Sequence, residues 1–226
     1  MGLPIPSKEF INELGVFFKE QFSVWLKVVK NPISVISNCD PESSQSFIES
    51  ARFALFVYAL VIFVALPGLV LFYKANIKNP IFFIVDFISY GLILLTFGAM
   101  LHLSAKIMFA KGRLSFSLLA SGYLAAFWPI LQMTDYLLLP SPHLRASVTG
   151  ENVSEVLPVD IIVFFMLLVL LPSIAWYLIA KTVPVVKHIY SVGTIRAAII
   201  SLLAFGMLVI VSQLAFLPIM QESIKL

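Results

Sequence analysis

The sequence predicts an all-α fold: a polytopic transmembrane helical bundle of five spans, preceded by an N-terminal interfacial amphipathic helix. Three observations predict it. Hydrophobic residues make up 60% of the chain and charged residues only 12%, with a mean hydropathy of +1.00; a soluble domain carries about 25% charged residues. The apolar residues gather into runs long enough to cross a bilayer. The basic residues sit in short loops beside those runs, as membrane orientation requires.

The first element spans residues 7–30. Phe10, Leu14, Phe17, Phe18, Phe22, Trp25 and Val29 recur mostly three and four residues apart, the spacing of one helix face. Lys8, Glu9, Asn12, Glu13, Lys19, Glu20, Ser23 and Lys27 fill the remaining arc. Ser7 is placed to cap the start, and Asn31-Pro32 stops the helix. A helix both aromatic and charged suits the membrane interface, with Phe10, Phe17, Phe22 and Trp25 as candidate anchors. Docking on the protein's own cytoplasmic face is the alternative.

Residues 31–50 form a polar connector, so 1–50 is a cytoplasmic segment and 51–226 a five-span membrane domain. The first span, 53–73, carries no charge and covers about 30 Å at helical rise. The others are expected at about 80–105, 114–139, 159–180 and 195–219, joined by short loops at 74–79 and 106–113 and longer ones at 140–158 and 181–194. On the side of the N-terminus stand Lys8, Lys19, Lys27, Lys30, Arg52, Lys106, Lys111, Arg113, Lys181, Lys187 and Arg196; opposite stand Lys74, Lys78, Arg145 and Lys225. Eleven against four orients the N-terminus to the cytoplasm and the C-terminus to the periplasm or lumen.

The net charge of +3 and pI of 9.0 do not make a nucleic-acid binder, because no basic stripe interleaved with aromatics is present. Cys39 is the only cysteine, which excludes an intrachain disulfide and a thiolate cluster. A continuous apolar h-region is absent from residues 1–15, so no cleaved signal peptide is expected, and Met1-Gly2-Leu3-Pro4-Ile5-Pro6 does not fit a myristoylation signal. Asn152-Val153-Ser154 is a bare glycosylation triplet.

Ionisable groups in or beside spans are the candidates for chemistry. Asp86, Asp135 and Asp160 all fall toward the outer helix ends, with Gln132 one turn deeper than Asp135. Gathered there, they form a possible cation or proton site. Alternatively Asp86 and Asp160 occupy first turns, where the helix dipole favours a carboxylate. On the cytoplasmic side His102, Lys106, Lys111, Arg113, His188 and Arg196 are possible contacts for anionic lipid headgroups, or topological anchors. Pro67, Pro129, Pro172 and Pro218 punctuate four spans, yet no inverted repeat accompanies them. Ser117, Ser121 and Ala125 share one face of the third span and permit close helix approach. No metalloprotease, nucleophile-elbow, phosphate-loop or Cys-x-x-Cys signature is present, so no catalytic residue, metal or cofactor is expected.

Three stretches in order carry a family resemblance over about residues 30–217. They are Lys30-Asn31-Pro32; then Leu101-His102-Leu103-Ser104-Ala105-Lys106 with Gly112, Ser115-Phe116 and Trp128-Pro129; then Lys187-His188-Ile189-Tyr190-Ser191-Val192-Gly193-Thr194-Ile195-Arg196-Ala197. Together they resemble the Yip1-domain family of five-span membrane proteins. The glycine-rich turn between the second and third spans is reduced here to Ala110-Lys111-Gly112-Arg113, and the long acidic arm of the trafficking members is absent. The resemblance implies a non-enzymatic protein that organises membrane or partner membrane proteins, in a bacterial inner membrane or a eukaryotic endomembrane. Its partners would be the lipid bilayer, anionic lipids, and another membrane protein or a second copy. The reading that competes with it is a transporter or ion conductor using the carboxylates.

Overall fold

The computed structural model describes residues 7–71, 80–130, 157–211 and 214, with the side chains of 64–71 and 80–83 left out. Among the described residues all regular structure is helical. In chain order the elements are α1 (Lys8–Lys30), α2 (Ile33–Ile36), α3 (Ser44–Leu71), α4 (Pro80–Ile107), α5 (Leu114–Leu124), a 3₁₀ turn (Ala125–Phe127), α6 (Pro158–Tyr190) and α7 (Thr194–Val211). Four helical stretches are long and apolar enough to cross a membrane: Ser44–Phe63, Ile84–Ile107, Pro158–Tyr190 and Thr194–Val211. The expected third span is an apolar helix over Leu114–Ile130, shorter than these, and its residues 131–139 lie outside the described region.

α1 ends where its sequence says it should. The Ser7 hydroxyl accepts from the backbone N–H of Phe10 at 3.2 Å, satisfying one of the free donors of the first turn. Asn31 leaves the helix at φ −153°, because the following Pro32 disfavours helical backbone before it. The polar connector is more structured than expected. It holds α2, and α3 begins at Ser44, so the first spanning helix starts well before residue 53 and crosses the proposed boundary at residue 50.

A second correction concerns the loop expected over 181–194. α6 continues unbroken through Lys181, Thr182, Pro184, Lys187 and His188 to Tyr190 and is 33 residues long. Polar residues there read as a loop, but a helix tolerates them on its exposed face, where Pro184, Lys187 and His188 lie. α6 stops at Ser191, which takes the left-handed conformation at φ 51°. α4 stops in a Schellman closure: Ala110 N–H bonds to Ala105 O at 2.8 Å and Phe109 N–H to Lys106 O at 2.9 Å. Phe109 holds the position that usually belongs to glycine, at φ 53°.

The buried core joins α3, α4, α5, α6 and α7 through Phe53, Val57, Leu101, Leu119, Val185 and Ile200. α5 runs closest to α4. A Cβ added to Gly98 would stand 2.9 Å from the backbone Cα of Leu118, so only glycine permits that approach. The small face read from the sequence is a packing face, with Ser117, Ser121 and Ala125 all buried. Ser50 donates to the Leu119 carbonyl at 2.9 Å, opposite Gly122, which leaves room for the Ser50 side chain.

Candidate functional site: a transverse helix and the basic ends of the bundle

α1 lies across the bundle, touching a different helix at each stage. Near its middle, the Phe18 ring meets Phe56 of α3 at 5.7 Å. Two turns on, the Trp25 indole N–H donates to the Ala126 carbonyl at 2.9 Å. At its end, the Tyr177 hydroxyl of α6 reaches Val29 O at 3.5 Å and the Lys181 ammonium donates to Lys30 O at 2.7 Å. That cation answers the free carbonyls and negative dipole end of the helix. Val28 is wholly buried beneath.

The Trp25 contact has a local cause in α5. Pro129 has no N–H to offer the Ala125 carbonyl, and its ring crowds the preceding turn. The helix tightens into 3₁₀ over Ala125–Phe127, and the neighbouring Ala126 carbonyl accepts from the indole. Above this contact α1 keeps an apolar edge uncovered, with Phe10, Ile11, Leu14, Val16, Phe18 and Phe22 all exposed. Of the four expected anchors, Phe10 and Phe22 are exposed, whereas Phe17 and Trp25 are partly buried against the core.

The six candidate headgroup contacts divide into separate places. Lys111 and Arg113 line a cleft of about 440 Å³ with Pro41, Gly112, Phe116 and Ile189. His188 joins them through an edge-on contact with Phe116, ring centroids 5.9 Å apart. Arg113 also pairs with Glu42 at the exposed surface, so its charge is partly answered. Arg196 lines a different groove of about 600 Å³ with Met108, Gly193, Thr194, Ile195 and Ile199. His102 turns toward Tyr190, with ring centroids 6.3 Å apart, and its Nδ1 is buried with no hydrogen-bond partner among the described residues. Lys106 is exposed one turn further along α4.

The expected carboxylate cluster does not form from its described members. Asp86 is the seventh residue of α4 and so lies beyond the first turn; its carboxylate accepts from the Tyr58 hydroxyl at 2.9 Å. Tyr58 follows Phe56, the residue under Phe18, so Asp86 lies on the α1 side of the bundle. Asp160 is only 3% exposed in the first turn of α6, where it accepts from Leu157 N–H at 2.7 Å. It stands about 26 Å along α6 from Tyr177, the residue that touches the end of α1. Gln132 and Asp135 lie outside the described residues. Among the described residues no three His, Cys, Asp or Glu side chains gather as a metal site.

Sequence reasoning missed the partners that organise these places: Tyr58, Tyr177, Glu42, and Tyr190, which shares a short hydrogen bond with Ser117. It read Lys181 only as an orienting charge. Gly112 was legible as a turn residue, but its role is to leave room for the Tyr190 ring. Burial pushes the Cys39 thiol up from its ordinary value, an effect that a hydrogen bond with Tyr123 opposes and the nearby Glu49 carboxylate reinforces. Such a thiol is structural in character. No family model, curated protein or solved structure matches this chain.

Proposed function

We propose that this chain is a non-enzymatic integral membrane protein of Yip1-domain type that organises the bilayer or partner membrane proteins, with its N-terminus cytoplasmic and five crossings. One observation carries the reading: α1 is clasped across three helices by Phe18, Trp25, Tyr177 and Lys181, yet keeps an apolar edge uncovered. The apolar face that meets the bundle toward the end of α1 continues uncovered through Phe10 and Leu14, where it is free to meet lipid headgroups or a membrane partner. The eleven basic residues on the α1 side support the orientation. The separate places of Asp86 and Asp160 favour this reading over ion transport, which needs acids that share a path.

The test is purification in mild detergent, cross-linking and mass spectrometry. A second membrane protein or a defined oligomer is expected, and Phe10→Glu/Phe22→Glu should reduce its recovery several-fold. A strictly solitary monomer, unaffected by the double substitution, would overturn the proposal.

A further inference from the structure

We propose that the groove between the end of α4 and the start of α7 holds one anionic phospholipid, with its phosphate on Arg196 and an acyl chain along the apolar face of α7. This deepens the membrane-organising reading and rests on α4 and α7 as bilayer crossings, not on the placement of α1.

The helix ends create the groove. α4 and α7 lie side by side, with the rings of Phe97 and Phe205 5.0 Å apart. About 16 Å from that contact, forward along α4 and back along α7, stand Met108 and Thr194, which line the groove from its two sides. The apolar stretches Ile84–Ile107 and Thr194–Val211 therefore both terminate at this level. Crossings that stop here put the boundary between acyl chain and headgroup at the groove. Space remains even beside Gly193, where an added Cβ would meet no atom within 4 Å.

The charge at this level is unopposed. Arg196 is exposed and, among the described residues, has no ion pair or side-chain hydrogen bond. After Asp86 α4 carries no acid, after Asp160 α6 carries none, and α7 has none, whereas Lys106, Lys181, Lys187 and Arg196 stand on these helices. The neighbouring cleft differs, because Glu42 already supplies Arg113 with an anion. A guanidinium with no protein carboxylate to meet suits a phosphate, which its fork binds through two N–H groups. The Thr194 hydroxyl and the leading N–H groups of α7 add donors there, which Gly193 has no side chain to cap.

The other half of a phospholipid is matched as well. Met108, Ile195 and Ile199 complete the lining of this groove of about 600 Å³, within the about 300–1,000 Å³ of ligand-sized clefts. Ile195 is 80% exposed, and Ile199, Leu202 and Val209 follow it, also exposed, down one face of α7. That face runs about 21 Å, longer than the roughly 15 Å that one leaflet contributes to the hydrocarbon core. A soluble anion would leave this face bare, and an apolar peptide would leave Arg196 unanswered. An anionic phospholipid answers both.

The full chain in mixed phosphatidylcholine–phosphatidylglycerol vesicles tests this, with a photoactivatable diazirine in the upper acyl chain of one lipid or the other and mass spectrometry to map the labelled residues. Phosphatidylglycerol should label Met108, Ile195 and Ile199 about fivefold more than phosphatidylcholine does. The two lipids should label Phe165 and Val169, on the uncovered part of α6, equally. Arg196→Gln should remove the preference at the groove, and Arg196→Lys should keep part of it. Ile199→Trp should fill the groove and block labelling of Met108, whereas Arg113→Gln in the other cleft should change nothing. Equal labelling of the groove by both lipids, or a preference that survives Arg196→Gln, would overturn the proposal. So would loss of the preference on adding excess glycerol phosphate, which would mean an anion site indifferent to the acyl chain. Recovery of a membrane partner reads Phe10 and Phe22 and not Arg196, so the two proposals fail separately.

Discussion

The two halves of α6 bury different things. From Pro158 to Tyr177 the helix exposes Ile161, Phe164, Phe165, Met166, Leu168, Val169 and Trp176 and buries little beyond Asp160 and Val163. From Leu178 to Tyr190 it buries Leu178, Thr182, Val185, Val186, Ile189 and Tyr190 and turns Lys187 and His188 outward. The first half is dressed for an apolar solvent, where side chains need no protein partner. The second half is inside out relative to the first and must earn its stability from neighbouring helices. The partnered half therefore contains the positions where single substitutions should matter most.

The largest effect is expected at a close crossing among its partners, that of α4 and α5. Gly98→Leu drives a side chain into the Leu118 backbone, which cannot rotate away, and should cost about 3 kcal/mol or more. Thermal unfolding in detergent should show a large loss for Gly98→Leu and almost none for Val169→Ala on the uncovered half of α6. Equal losses at the two positions would erase the contrast between the partnered and the uncovered parts of the bundle.

Next comes the clasp that holds α1. Trp25→Phe keeps an aromatic ring but removes the indole donor, leaving the Ala126 carbonyl unanswered at a cost of about 1–3 kcal/mol. Amide exchange should accelerate in the last turns of α1 and stay unchanged in Pro158–Tyr177. A smaller loss, about 1 kcal/mol, is expected for Tyr190→Phe, which removes the hydroxyl bonded to Ser117. Ser117 retains a weak alternative acceptor in the Arg113 carbonyl at 3.4 Å, which softens that loss.

How much of this was legible in the sequence depends on whether a signal is local. The cap at Ser7, the stop at Asn31-Pro32 and the small face of Ser117, Ser121 and Ala125 are local and were readable. The continuation of α6 past Ala180 was not, because Lys181, Lys187 and His188 report the solvent around a helix and not whether the backbone is helical. The clasp of Trp25 on Ala126 joins residues 101 apart, and no periodicity carries that distance. The partner of Asp86 was illegible for the same reason: Tyr58 lies on another helix.

The smallest expected effect has the opposite sign. Phe109 closes α4 at φ 53° with its ring 88% exposed, so the side chain contributes almost no burial while its Cβ is strained. Left-handed backbone costs a residue other than glycine about 1–2 kcal/mol. Glycine removes that strain but gives back about 0.5–1 kcal/mol through the greater freedom of the unfolded chain. Phe109→Gly should therefore stabilise the bundle by roughly 0.5 kcal/mol, read as a small upward shift in Tm. A clear loss instead would mean that the Phe109 ring contributes a contact in the membrane-bound protein that its exposure here does not disclose, and would extend the partnered region past the end of α4.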